Sequence, residues 1–341
     1  MENLFIIGNG FDLAHELPTA YSDFKWFLYN NYDLSDISFD DAEQIYDFEM
    51  PESTLDGSGE ERFDFNRLAQ FYFKMCNQLN QDSVTFKTDW TDFENNLANV
   101  TELDIDLENF QDTDGVFDGF YNAGLREDTS DMFNIAYQKM TQEYFFEWIE
   151  EITNSSKYKN LCEEKSHLKK LILDLKDDSY FLTFNYTTVL EEFYNIPSNQ
   201  ILHIHGSLEN TELIVGHGKE SKDEKIEYSP FELSFTKAKE SSLKPVRDII
   251  KLNHDFFNQL SSVKNVYIIG SRLLEKDSVD FPYFEEIIKS TSSLSLFIDS
   301  FRMTAKKKKH LEDYLLEKFN QTYNIEVIDS YHNCVLPTIH Q

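Results

Sequence analysis

Short apolar runs recur along the chain and are separated by longer amphipathic segments. The runs are rich in β-branched and aromatic residues, and their nearly continuous apolarity is typical of strands covered on both faces of a parallel sheet. They are LFIIG (4–8), YFLTF (180–184), ILHIH (201–205), VYIIG (266–270), LSLFID (294–299) and IEVID (325–329). We therefore predict an α/β fold with a Rossmann-like, mostly parallel sheet of about six strands.

Apolar positions at helical spacing predict helices around these runs. The clearest segments are residues 131–152, 245–260, 281–288 and 304–319. The last three lie between the late strands, which is the alternation of strand and helix found in βαβ sheets.

The interval between the first and second runs is about 170 residues long and contains helical patterns but no convincing strand. We predict that residues 1–30 and 178–341 form an α/β nucleotide-binding domain and that residues 31–177 form a helical insertion or cap. Two acidic, turn-rich segments within the insertion, 33–64 and 101–131, predict loops.

Charge and cysteine content narrow the class of protein. The chain has 62 acidic and 31 basic residues and a formal net charge of −31, a field that repels phosphate backbones, so we expect no nucleic-acid partner. Cys76, Cys162 and Cys334 are widely separated and form no CxxC pair, which argues against a disulfide framework or a zinc ribbon. The first apolar run is too short for a signal peptide and no later run reaches membrane length, so we expect a cytoplasmic protein without a membrane partner.

Polar and glycine residues that directly follow the predicted strands are the candidate site residues. In an open parallel sheet, ligands bind outside the carboxyl ends of the strands. The candidates are Gly8, Asn9, Gly10, Phe11 and Asp12 after the first run, Asn185 after the second, His205, Gly206 and Ser207 after the third, and Gly270 and Ser271 after the fourth.

Gly8 and Gly10 form a G-x-G turn between a strand and a helix. Such a turn lets backbone N–H groups approach a phosphate, but a tight turn without a ligand explains the pair equally well. Leu13 stands where the dinucleotide fingerprint has its third glycine, so the dehydrogenase motif is not matched. Asp12 either caps the turn or faces the ligand, and both readings stay open.

Asn185 and His205 are the candidate catalytic residues. Asn185 precedes the sequence Thr188–Glu191, a capping-box pattern that predicts a helix start, so its side chain either projects into the crevice or bonds its own backbone at the turn. His205, at the end of its strand, is a candidate general base. His203 shares its face of the strand by alternation, and we interpret it as a buried histidine bonded to backbone.

Other polar residues have simpler structural explanations. Phe and Trp in WTDFENNL (90–97) are typical of a core, Asp280 is typical of a helix cap, and Lys306–Lys309 are typical of a solvated helix face.

A metal site formed by His203, His205 and His217 is an alternative hypothesis for these histidines. The HExxH spacing and an adjacent carboxylate ligand set are absent, so no metal cofactor is expected. The sequence assigns no role to His217, Glu94 or Asp277.

Five segments resemble, in this order, the bacteriophage abortive infection AbiH family. They are IIGNGFDLAHELPTAYSDF, WTDFENNL, YFLTFNYT, HIHGSLENTELIVGHG and YIIGSRLLEKDSVDFPYFEEI. They span most of the chain, and their joint order is far more specific than any single segment. The resemblance implies a defence effector against phage, and it leaves room for a phage-encoded trigger and for a homo-oligomer.

A more distant likeness is to the sirtuin (SIR2) superfamily, whose pattern is a glycine-rich first turn, an Asn after a strand, a His-Gly after another and a late Gly-Ser. The similar positions here are Gly8 to Gly10, Asn185, His205-Gly206 and Gly270-Ser271. The four-cysteine zinc module is missing, so a protein deacylase is not implied. The resemblance implies a SIR2-like fold for residues 1–30 and 178–341 and the NAD-cleaving chemistry of SIR2-like defence proteins.

Cleavage of the nicotinamide–ribose bond of NAD passes through an oxocarbenium-like transition state, and nicotinamide leaves as a neutral molecule, so no strong general acid is required. If the chain cleaves NAD in this way, we expect the diphosphate to bind at Gly8, Gly10 and the following helix start. Asn185 would then bond the ribose hydroxyls or the attacking water, and His205 would accept a proton from a hydroxyl or that water. NAD is then a substrate. The rival hypotheses are a non-catalytic sensor of NAD or ADP-ribose and a metal-dependent nuclease, which the acidity disfavours.

Overall fold

The computed structural model describes residues 1–35, 53–55, 57–58, 61–79, 90–99, 119–159, 161, 167–209, 213–218, 230–275, 278–291, 294–300, 303–319 and 323–328. In chain order the strands and α-helices are β1 (Asn3–Ile7), α1 (Gly10–Ala14), α2 (Tyr21–Asn31), β2 (Ser53–Leu55), β3 (Glu61–Phe63), α3 (Phe65–Leu79), α4 (Trp90–Leu97), α5 (Gly119–Lys139), α6 (Phe145–Asn154), α7 (Ser156–Lys159), α8 (His167–Leu175), β4 (Ser179–Thr183), α9 (Val189–Glu192), β5 (Ile201–His203), α10 (Pro230–Ser241), α11 (Val246–Leu252), α12 (His254–Gln259), β6 (Asn265–Ile269), α13 (Phe281–Ser290), β7 (Ser295–Asp299), α14 (Ala305–Phe319) and β8 (Asn324–Ile328). A π-helical turn, Met140–Tyr144, joins α5 to α6.

Each of the six apolar runs forms a strand, and these strands pair in parallel in the order β5-β4-β1-β6-β7-β8. Counted along the chain within this sheet, the order is 3-2-1-4-5-6, which is the order of doubly wound dinucleotide-binding sheets. The predicted α/β fold with a six-stranded parallel sheet is therefore confirmed. The strand order reverses between β1 and β6, so the crevice outside their carboxyl ends is the expected place for a ligand.

A row of stacked aromatic rings crosses four neighbouring strands at one level. Phe181 stacks on Phe5 at 5.0 Å between ring centroids, Phe5 on Tyr267 at 4.8 Å, and Tyr267 on Phe297 at 4.7 Å. A slip of one residue in any strand would turn its ring to the opposite face. The row therefore fixes the register, and with it the level at which the residues after each strand emerge.

The chain divides into two compact units. The sheet unit comprises Met1–Thr19, Ile149–Thr211 and Pro245–Gln341, and the helical unit comprises Ala20–Trp148 and Glu212–Lys244. The sequence predicted a domain of residues 1–30 and 178–341 around an insertion of residues 31–177, so three segments change sides. These segments are 20–30, 149–177 and 212–244.

Side-chain contacts within each unit explain the shifted boundaries. In the helical unit, Phe24 of α2 packs its ring against Trp90, Phe145 and Trp148. In the sheet unit, the hydroxyl of Tyr158 on α7 lies 3.2 Å from that of Thr188, directly before α9. Such contacts join residues far apart in sequence, and composition alone gives no sign of them.

Within the predicted insertion, the structure adds two elements. β2 and β3 pair as an antiparallel hairpin, where the sequence predicted no strand; each has only three residues, too few for an apolar pattern to show. α5 begins at Gly119, inside the segment predicted to be a loop, and the buried residues of its later turns anchor it. Residues 36–52 and 101–118 of the two acidic segments lie outside the described residues.

The four segments with helical spacing are confirmed as helices: α5, the π turn and α6 cover 131–152, α11 and α12 cover 245–260, and α13 and α14 cover the other two. None of the helices in the part of the chain that the structure describes is both long and apolar enough to cross a membrane.

Candidate functional site

The turns that follow β1 and β6 pack backbone against backbone. The N–H of Gly10 donates to the carbonyl of Gly270 at 2.8 Å, and the N–H of Gly8 donates to the carbonyl of Ile269 at 3.0 Å. A Cβ on Gly10 would lie 2.6 Å from Cα of Gly270. A Cβ on Gly270, whose φ is +61°, would lie 2.4 Å from the nitrogen of Phe11. Both the close approach and the positive φ therefore require glycine here.

This backbone contact occupies N–H donors that we predicted would bind a diphosphate. The N–H groups of Gly8 and Gly10 are directed to the β6 end of the sheet, and the N–H of Phe11 donates to the carbonyl of Gly8 at 2.9 Å. α1 has only five residues, so its dipole is small. The turn holds the two strand ends together and places Asp12, and its contact with NAD stays a prediction.

Asp12 is buried at the carboxyl edge of the sheet, with 2% of its surface exposed. Its Oδ2 accepts a hydrogen bond from the hydroxyl of Thr187 at 2.7 Å. Burial raises the pKa of the Asp12 carboxyl to about 6, while the hydroxyl of Thr187, the side-chain amide of Asn185 and the charge of His203 oppose that rise. These effects make Asp12, Asn185, Thr187 and His203 one cluster of side chains.

Two polar atoms in this cluster have no partner in full hydrogen-bond geometry among the described residues. They are Oδ1 of Asp12, an acceptor, and Nδ2 of Asn185, a donor, and both are buried. The amide of Asn185 nevertheless acts on the Asp12 carboxyl, since it lowers the pKa of that group. A buried acceptor beside a buried donor is the arrangement that a sugar hydroxyl or a water molecule can satisfy.

His203 pairs with Glu191 and with the end of β4. Its Nδ1 lies 2.9 Å from the carbonyl of Asn185, and its Nε2 lies 2.8 Å from Oε1 of Glu191. The backbone bond predicted for His203 is therefore present. The capping box predicted for Thr188 and Glu191 is not formed, because Thr188 makes no side-chain cap hydrogen bond and Glu191 turns to the histidine.

His205 belongs to a second group of side chains. It has 3% of its surface exposed, and its Nε2 lies 3.4 Å from Oδ1 of Asp280. Its ring centroid lies 5.2 Å from that of Phe184 and 5.8 Å from that of Tyr283. Alternation placed His203 and His205 on one face, but β5 ends at His203 and the chain turns, so their partners differ.

The two groups meet at the end of β4, because consecutive residues contact both. Phe184 packs against His205, and Asn185 lies against His203 and acts on Asp12. The structure thus brings Asn185 and His205, the predicted catalytic residues, to the same strand end.

The remaining predicted site residues have local partners. The side-chain amide of Asn9 donates to the carbonyl of Thr19 at 2.9 Å. Oγ of Ser271 accepts the N–H of Leu273 at 3.2 Å. Phe11 is buried, and its ring centroid lies 4.5 Å from that of His15, the buried C-cap residue of α1. Gly206 has a φ of +89°, which glycine adopts without strain, and Ser207 is buried beside it.

Sequence reasoning missed three polar partners at this edge: Thr187, Glu191 and Asp280. Thr187 lies two residues after Asn185, and that spacing was the one available signal. Glu191 and Asp280 both match helix-start patterns, so the sequence predicted helix capping for them and not contacts with the histidines. Asp280 is at the N-cap position of α13 but makes no side-chain cap hydrogen bond.

The helical unit holds a separate buried polar network. Nζ of Lys244 lies 2.8 Å from Oε1 of Glu94, and the same oxygen accepts the N–H of Gly216 at 3.2 Å. His217 is fully buried, and its Nε2 lies 2.9 Å from the carbonyl of Lys239. Glu94 and His217 thus have structural partners within this unit.

Across the described residues, no group of three or more His, Cys, Asp and Glu side chains is arranged to hold a metal ion. Asp277 lies outside those residues. The metal reading of the histidines therefore gains no support from their partners.

The family described as Bacteriophage abortive infection AbiH has a model that matches residues 4–299 of the chain. The matched range includes β1, β4, β5 and β6, whose carboxyl ends carry the candidate site. The family's description places its members in abortive infection, a defence against phage. No curated protein and no solved structure matches the chain. The resemblance to this family is confirmed, and the likeness to SIR2 stays a prediction.

Proposed function

We propose, because the chain belongs to the bacteriophage abortive infection AbiH family, that it is a cytoplasmic phage-defence effector that hydrolyses NAD at the nicotinamide–ribose bond. The observation that carries this proposal is the pair of buried, unsatisfied atoms on Asp12 and Asn185 at the carboxyl edge of a sheet with dinucleotide-binding strand order. A ribose presents hydroxyls that donate and accept, so it satisfies both atoms at once.

The proposed roles follow from charge and position. Asp12 in its carboxylate form accepts a hydrogen bond from the ribose and stabilises the positive charge that develops as the glycosidic bond breaks. Asn185 donates to a ribose hydroxyl or to the attacking water. Because the pKa of Asp12 is about 6, the carboxylate predominates at neutral pH, and activity should fall below that pH.

His205 is the proposed base that takes a proton from the water or from a hydroxyl. Oδ1 of Asp280 lies 3.4 Å from its Nε2 outside hydrogen-bond geometry, so the carboxylate acts by charge and stabilises the imidazolium that forms. The slight exposure of His205 requires the ligand, or a movement of neighbouring side chains, to open access. Such a requirement suits an effector that is held inactive until phage infection triggers it.

Nicotinamide release from NAD by the purified full chain, alone and with extract of phage-infected cells, tests the proposal. We expect release that Asn185→Ala removes and that the exposed matched control Asn199→Ala retains. Absence of release under every condition, together with full phage defence by Asn185→Ala, would overturn the enzyme proposal. Tight calorimetric binding of NAD or ADP-ribose without turnover would instead favour the sensor, since the same unsatisfied atoms bind a ribose without chemistry.

A further inference from the structure

Both ring nitrogens of His203 face acceptors. Nδ1 lies 2.9 Å from the backbone carbonyl of Asn185, a group that only accepts, and Nε2 lies 2.8 Å from a carboxylate oxygen of Glu191. A neutral imidazole carries one N–H, so with ionised Glu191 it could donate to only one of these two acceptors. The two contacts together therefore describe an imidazolium ion.

The groups that face His203 agree with that charge. Burial lowers the pKa of His203, but the hydrogen bond and charge of Glu191, the carbonyl of Asn185 and the charge of Asp12 raise it, and the net direction is upward. Glu191 comes from α9 and Asp12 from α1. Tyr158 of α7, which lies near both carboxyls, is held neutral because burial raises its pKa. Within the part of the chain that the structure describes, the charges that act on the ring, those of Glu191 and Asp12, are both negative.

The contacts of His203 reach both groups that the proposed reaction uses. Its Nδ1–H fixes the backbone carbonyl of Asn185 and so holds the residue whose side-chain amide faces Asp12. Its positive charge lowers the pKa of Asp12 and favours the carboxylate form. His203 makes no contact that would let it attack or protonate a ligand, since both nitrogens are occupied.

We infer that His203 and Glu191 form a partly buried ion pair that positions Asn185 and keeps Asp12 ionised, and that this pair sets the lower pH limit of the site. The inference rests on the proposed function, because it assigns a task to Asp12 and Asn185. His203 is then a positioning residue. If the pair only supported the fold, its loss would lower activity by the same factor at every pH.

Glu191→Gln is the variant that separates these outcomes. Glutamine retains the size and an oxygen that accepts from Nε2, but it removes the charge that maintains the imidazolium. Glu192→Gln is the matched control on the next residue of the same helix, where the carboxylate is exposed and accepts from Thr188. His203→Gln, which is neutral and donates in one direction only, is the second test variant.

The first measurement needs no turnover. In ¹H–¹⁵N spectra of the full chain with labelled histidine, the His203 signals are assigned by their loss in His203→Gln. We expect both ring nitrogens to be protonated at pH 7.5 in the wild type and in Glu192→Gln, and only one in Glu191→Gln. A neutral His203 ring in the wild type at that pH would overturn the inference.

The second measurement is the pH dependence of nicotinamide release. Without the neighbouring cation the pKa of Asp12 rises, so we expect Glu191→Gln and His203→Gln to shift the acid limb of kcat/KM upward by about one pH value, which lowers the rate roughly tenfold near pH 6 and little above pH 8. An unshifted limb in both variants would overturn the inference while leaving NAD hydrolysis intact. A wild type that never releases nicotinamide defeats the proposed function alone, because the spectra still decide the state of His203.

Discussion

Nε2 of His205 lies 3.4 Å from Oδ1 of Asp280, so a carboxylate at the start of α13 faces the histidine that ends the turn after β5. The two residues are 75 positions apart in the chain, and they meet because β5 and β6 lie in the same parallel sheet. A carboxylate at that distance stabilises a positive charge on the ring when the histidine accepts a proton.

Replacement of His205 by glutamine should therefore reduce the rate of nicotinamide release by roughly 10²–10⁴-fold, because the variant loses the proton acceptor and retains most of the side-chain volume. Asp280→Asn should reduce it less, since the base remains and only the neighbouring negative charge is lost. Nicotinamide release at saturating NAD, with calorimetric NAD binding as a check that the site is intact, measures both effects.

The exposed pair of His254 and Asp255, whose side chains lie 3.0 Å apart, supplies the control. His254→Gln and Asp255→Asn repeat the two substitutions on the surface and should leave the rate unchanged. Wild-type turnover by His205→Gln would show that His205 is not the base.

The glycine contact between the turns after β1 and β6 predicts a stability effect. Gly270→Ala adds a Cβ 2.4 Å from a backbone nitrogen at a φ of +61°, so steric overlap and left-handed strain add. We expect a loss of about 2–5 kcal/mol in the free energy of unfolding, measured by denaturant titration. Gly10→Ala should lose a similar amount.

Gly57 is the matched control, because a Cβ there would meet nothing within 4 Å. Gly57→Ala should change the free energy of unfolding by less than about 0.5 kcal/mol. If Gly270→Ala unfolded at the same denaturant concentration as wild type, the close approach of the two turns would be refuted.

The sheet could be predicted from the sequence because its strands are short runs of mostly apolar residues, and strands covered on both faces produce that pattern. β1 is the clearest example, since all five of its residues are buried. The candidate catalytic residues could be chosen from the sequence for a related reason. Parallel strands bring their carboxyl ends to one edge of the sheet, and Asn185 and His205 each follow a strand.

The side chains that contact Asn185 and His205 could not be predicted from the sequence. Glu191 and Asp280 precede or begin helices in patterns that also describe capping, and the local sequence does not distinguish a cap from a contact made across the sheet. The tertiary arrangement decided both cases, since each carboxylate turns to a histidine on another element. The changed boundaries between the two units have the same origin, in long-range contacts such as those of α2 and α7.

The raised pKa of Asp12 predicts that the free energy of unfolding decreases as the pH rises towards that pKa. Its pKa is raised from 3.8 to about 6 in the folded chain, so between these pH values the folded state binds more protons than the unfolded state. Stability from this group is therefore greatest at low pH and falls as pH rises to about 6, by about 3 kcal/mol in total.

Asp12→Asn removes this titration and isolates it from the other carboxyls. The difference in unfolding free energy between the variant and wild type should rise in favour of the variant from pH 4 to pH 6.5 and be constant above it. Asp255→Asn, at an exposed carboxylate, should show no such trend. A difference independent of pH would show that Asp12 titrates normally. Denaturant unfolding at each pH provides the measurement.

The last prediction concerns the ion pair of Glu94 and Lys244 in the helical unit. The side chain of Lys244 has 0% exposure, and its Nζ lies 2.8 Å from Oε1 of Glu94. Glu94→Gln removes the carboxylate that lies against a buried ammonium group, so we expect a loss of about 3–5 kcal/mol in the free energy of unfolding. Asp248→Asn is the control, because the pair of Asp248 with Lys251 is exposed and its loss should change stability by less than about 1 kcal/mol. The double variant Glu94→Gln/Lys244→Met should lose less than the sum of its single variants, since it buries no unpaired charge. Additive losses in this cycle, measured by denaturant titration, would contradict a coupled pair and leave Lys244 held by its other neighbours.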